Sequence, residues 1–127
     1  MYFRFVVAER DDSSQQPRGI FQAVYRLRDA GELAAHEEAW FAETEDWFNR
    51  HLKRPRRLTE TRRPNAPDRA ISWLKASALE HVSRMRDLVA LLEHKGVSVQ
   101  ELRTSRPGYV VYEDEYQVAT IPFADTP

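Results

Sequence analysis

The chain of 127 residues has no cysteine. A disulfide framework, a thiol nucleophile, an iron–sulfur cluster and every thiolate zinc site are therefore excluded. Only four glycines are present, and none forms a phosphate-cradling loop or a strained nucleophile turn of the GxSxG kind. Long hydrophobic runs are also missing. The longest wholly apolar stretch is residues 88–92, far short of the roughly 20 residues a membrane helix needs. The apolar run at residues 3–8 is interrupted by Arg4 and followed at once by Glu9, Arg10, Asp11 and Asp12, so it does not read as a secretory signal. The expectation is a cytoplasmic protein without membrane attachment.

What is present suits a globular core. The chain is 42% hydrophobic and 31% charged, with three Trp, five Tyr and six Phe as large packing units. This length fits one domain spanning residues 1–127. The net charge of −1 conceals an uneven distribution. Residues 32–46 hold six acids and no Lys or Arg, whereas residues 53–69 hold seven bases against Glu60 and Asp68.

Periodicity divides the chain into elements. Residues 2–9 alternate as a strand, with Phe3, Phe5 and Val7 on one face. Residues 11–18 read as a polar turn or loop. Residues 20–29 fit either a strand or a short helix closed by Gly31, and their Ala and Arg content favours the helix. The spacing of Leu33, His36, Trp40, Thr44, Trp47, Phe48 and His51 predicts a helix over 32–52, stopped by Pro55. Residues 56–67 carry two further prolines and no apolar rhythm, as a loop does. A second long helix of about 28 residues is expected from 65–68 onward, with Ile71, Leu74, Ala78, Val82, Met85, Val89 and Leu92 as its buried stripe, widened by Leu79, Leu88 and Leu91. Three strands complete the chain at 97–104, 108–112 and 116–123, separated by turns at 105–108 and 113–115. The expected architecture is α+β: two layers, with an antiparallel sheet of about four strands covered by two long antiparallel helices.

Candidate chemistry is sparse. His36, His51, His81 and His94 lack the i, i+4 pairing of a helical metal site, and no catalytic set is spelled out. A metal-assisted hydrolase assembled from His36, Glu37 and His81 is the third reading, and no cofactor is expected. The second reading is nucleic-acid binding by Arg54, Arg56, Arg57, Arg62 and Arg63, which a proline-stiffened connection would present to phosphates. Glu113, Asp114 and Glu115 lack the Gly and Asp spacing of a calcium loop and read as a hairpin tip. The leading reading rests on the last hairpin. Tyr109 and Val111 alternate with Val110 and Tyr112, so both faces are apolar or aromatic where a one-sided sheet should turn a polar face outward. Together with Tyr116, these residues form a candidate interface for a protein partner or a second copy. The expected function is a non-enzymatic binding or regulatory module that self-associates.

Overall fold

The structure, a computed structural model, describes residues 1–10, 17–54 and 70–127, and only the backbone at residues 9, 10, 17 and 18. Among these residues it is an α+β chain of six strands and three helices. The strands are β1 (Tyr2–Arg10), β2 (Pro17–Gly19), β3 (Ile71–Lys75), β4 (Val99–Thr104), β5 (Tyr109–Glu113) and β6 (Gln117–Ile121). The helices are α1 (Ile20–Asp29), α2 (Ala35–His51) and α3 (Leu79–His94). Strands pair in the order β2-β1-β3-β6-β5, and β4 also pairs with β1. The β1–β2, β1–β3, β3–β6 and β5–β6 ladders are antiparallel.

The chain divides into two compact units. The first comprises Met1–Arg4, Leu52–Val82 and Leu102–Pro127. Here the start of β1 pairs with β3 (Phe3 opposite Leu74), and β3 pairs with β6 (Trp73 opposite Val118). All five residues of β6 are buried, as expected of a strand with neighbours on both sides. Trp73, Leu74, Ala78, Val82, Val118, Ala119 and Ile121 form this core.

The second unit comprises Phe5–His51 and Ser83–Glu101. Its core takes Val6 and Val7 from β1, Val24 and Leu27 from α1, Phe41 and Phe48 from α2, and Leu88 and Leu92 from α3. Phe21 meets Phe48 edge-on at 5.3 Å, and Tyr25 meets Phe41 edge-on at 5.5 Å. Such pairs add about 0.5–1.5 kcal/mol each beyond their buried area. At one end of α2, Glu37 pairs with Lys95, which follows α3. Near the other end, Arg84 of α3 lies 4.3 Å over the Trp47 ring. Helices α2 and α3 therefore run antiparallel.

Three expectations are corrected. The 28-residue second helix does not form: residues 71–75 are β3, and the helix behind them is α3, 16 residues long. The apolar spacing of Ile71, Leu74 and Ala78 suits either form, and pairing with β1 and β6 decides for the strand. Leu79, expected on the buried stripe, is 77% exposed at the start of α3. The sheet has more than the four expected strands, partly because Pro17–Gly19 adds β2 where a loop was read. Residues 20–29 are helical, as their composition favours. The expected loop over 56–67 lies outside the described residues.

Candidate functional site

The β5–β6 hairpin is fixed from both ends. At its base, Gly108 has φ +135°, and a Cβ there would lie 2.3 Å from the Ile121 carbonyl oxygen. Glycine is what allows the two strands to approach this closely. Beside it, the buried Thr120 hydroxyl donates to the Pro107 carbonyl at 2.7 Å. Tyr109 then lies opposite Ile121 and Val110 opposite Thr120.

At the tip, one carboxylate organises the turn. Asp114 accepts from the Tyr112 hydroxyl at 2.8 Å and from the backbone N–H groups of Tyr116 and Gln117 at 2.8 and 3.1 Å. Burial pushes the Asp114 carboxyl up, but these bonds to its charged form prevail and hold it below the usual carboxylate range. The Tyr112 phenol is correspondingly pushed up, chiefly by its bond to Asp114. Glu113 pairs with Lys75 of β3. The side-chain amide of Gln117 donates to the Lys53 carbonyl, which satisfies a buried polar group on β6.

A bulge at Val111 breaks the alternation expected along β5, since Val110 faces Thr120 while Tyr112 faces Ala119, the very next residue. The five candidate interface residues therefore separate. Tyr109 and Val110 are 49% and 51% exposed. Val111, Tyr112 and Tyr116 are half-buried, and the Tyr116 ring stacks on buried His81 with centroids 4.3 Å apart. Tyr109 also meets Phe123 edge-on at 4.6 Å, and Phe123 is in turn covered by the Arg106 guanidinium.

The other candidates fall only in part within the described residues. Arg54 is exposed just beyond α2, whereas Arg56, Arg57, Arg62 and Arg63 lie outside the described residues. Among the described residues no group of three His, Cys, Asp or Glu side chains is placed to hold a metal ion. Glu37, expected as a ligand of such a site, bonds Lys95 and the Ala34 N–H; Lys95 first, then Ala34, keeps its carboxyl below the usual range. His36 is exposed while His81 is buried. Among the described residues no helix is long and apolar enough to cross a membrane.

Sequence reasoning found the strands of this hairpin and missed what positions them. Gly108 was legible as part of a turn, but its contact with Ile121 depends on a partner 13 positions away. Asp114 was one of three adjacent acids, and nothing in their order singles it out. No family model, curated protein or solved structure matches the chain.

Proposed function

We propose that this chain is a non-enzymatic binding module that acts through protein–protein contacts, with a second copy of itself as the partner at β5. The observation that carries the reading is the edge itself. Among the described residues β5 ends the strand order, with β6 as its one strand neighbour, and it bears Tyr109 and Val110. Among the described residues these are the only two exposed large apolar side chains that are adjacent in sequence. An edge strand can add a further strand through its backbone while its side chains supply apolar contact area.

Self-pairing is compatible with the charges. In an antiparallel pair of β5 strands centred on Val111, Tyr109 faces Glu113 and Val110 faces Tyr112, so no like charges meet. The bulge shortens the ladder that such an edge can offer. Covering the exposed half of Tyr109 removes roughly 100 Å² from water, about 2.5 kcal/mol, and the exposed half of Val110 adds about 1 kcal/mol. Two copies gain about 7 kcal/mol against an association cost of roughly 4–15 kcal/mol. With the association cost at its low end and backbone hydrogen bonds across the new ladder adding about 1 kcal/mol, the net is about 4 kcal/mol, a weak dimer with a Kd on the order of 1 mM.

Sedimentation equilibrium from about 20 μM to about 2 mM brackets that range. The average mass should climb toward twice the monomer, and Val110→Lys should hold it at the monomer value with an unchanged thermal midpoint. A mass that stays monomeric throughout, or association unaffected by Val110→Lys, refutes the reading.

A further inference from the structure

The second unit contains a cleft of about 500 Å³ whose wall includes Val7 of β1, Ala23 and Leu27 of α1, and Val97 after α3. That volume is within the range of small-molecule sites. Two helices end at it in the same way. Helix α1 closes with Gly31 at φ +72°, the Gly31 N–H bonding the Arg28 carbonyl and the Glu32 N–H bonding that of Leu27. Helix α3 closes with Gly96 at φ +84°, the Gly96 N–H bonding the Glu93 carbonyl and the Val97 N–H bonding that of Leu92. Both are Schellman turns, and in each the chain beyond the glycine lines the cleft.

The charges on the lining are of both signs. Arg26 and Glu32 both border the cleft. Among the described residues neither the Arg26 guanidinium nor the Glu32 carboxylate has a hydrogen-bond or ion-pair partner. Their charged neighbours differ, since Arg28 pairs with Asp29 and Glu37 with Lys95. Each helix C-terminus adds partial negative charge, so the Glu32 side of the cleft favours a cation. Arg26, with its planar fork of donors, suits a carboxylate. The rest of the lining includes the apolar side chains of Val7, Ala23, Leu27 and Val97.

We propose that this cleft binds a small zwitterion with an apolar body, a free amino acid or short peptide of the leucine type. Its ammonium group sits at Glu32 and the helix ends, its carboxylate at Arg26, and its side chain on Val7, Ala23, Leu27 and Val97. This inference is independent of the β5 edge, because its lining residues and those of the edge belong to different units.

The test is a ¹⁵N–¹H shift titration of the full chain with leucine and with leucyl-leucine, each also used in its N-acetylated and its C-amidated form. Saturable shifts at residues 26–32 and 96–98, with a Kd in the low millimolar range or tighter, are expected for one of the two unblocked ligands. Which of them binds more tightly tells amino acid from peptide. Each blocked form should bind at least about tenfold more weakly, as the loss of a charge-assisted bond implies. Arg26→Gln should make the amidated ligand bind as well as the free acid, and Glu32→Gln should do the same for the acetylated form. Both positions are exposed, so the variants keep the wild-type thermal midpoint. No saturable shift at about 20 mM ligand, or equal binding of blocked and free forms to the wild type, overturns the proposal.

Discussion

Replacing Gly108 by alanine tests whether the hairpin's position depends on an absent side chain. The added Cβ meets the Ile121 carbonyl oxygen at 2.3 Å, its carbon at 2.8 Å and the Thr120 Oγ1 at 3.0 Å. The nearest atoms are backbone, so no rotamer change relieves the contact. Strands β5 and β6 must part by about 1 Å to restore ordinary van der Waals spacing. That movement strains the Thr120–Pro107 hydrogen bond, worth about 1 kcal/mol. The backbone angle of +135° adds roughly 1–3 kcal/mol for a residue with a side chain. The total is about 2–4 kcal/mol, a large part of the 5–15 kcal/mol by which domains are usually stable. Gly31→Ala is the control: its φ is also positive, at +72°, but nothing lies within 4 Å of the added Cβ, so about 1–2 kcal/mol is expected. Urea unfolding of both variants, followed by circular dichroism, gives the two costs. A Gly108→Ala cost no larger than that of Gly31→Ala would refute the close approach of β5 to β6.

Further outcomes follow from the same hairpin and from the α2–α3 pair. Thr120→Val preserves shape and removes the hydroxyl that donates to the Pro107 carbonyl, so denaturant unfolding should report a loss of about 1–2 kcal/mol; a neutral result would mean that the bond contributes nothing. The Asp114 carboxyl is held below its unfolded value of about 3.9, so the stability it contributes is complete above that pH and is lost as pH falls through the folded value. Asp114→Asn should therefore flatten the fall in stability below about pH 4, and an unchanged acid limb would refute this. Glu37 is shifted in the same direction, so Glu37→Gln should flatten the same limb, and its effect on the thermal midpoint should persist largely in high salt, because both side chains of the pair are mostly covered.

The legible elements are those whose local pattern admits one reading. Helix α2 shows three- and four-residue spacing, a proline beyond its end and acids in its first turn, and all of these agree. Its buried residues are Phe41, Thr44 and Phe48, a narrower stripe than the spacing suggested, because His36 and His51 sit at exposed ends. Strands β5 and β6 were legible from their aromatic and β-branched content between turn residues. Residues 71–75 were not. A strand buried between two neighbours shows a nearly continuous apolar run, and when Ala78 and Val82 follow it the run mimics a helical stripe. One local mark was available, since Ser77 followed three residues later by Glu80 is the pattern of a helix start. The even alternation read along β5 was correct up to Val110. The bulge beyond it arises from pairing with β6, which no residue of β5 announces.

Strand β1, helix α3 and strand β4 each begin in one unit and end in the other. This threading has a kinetic meaning. The first unit unites residues 1–4 with 102–127, so it closes only when contacts about 100 positions apart have formed, whereas the second unit is complete by residue 101. Distant closures slow folding more than they alter the final stability. During synthesis the helices of the second unit can pack while the last strands are still emerging. Shortening the chain from either side takes material from the same unit, the one that carries the β5 edge.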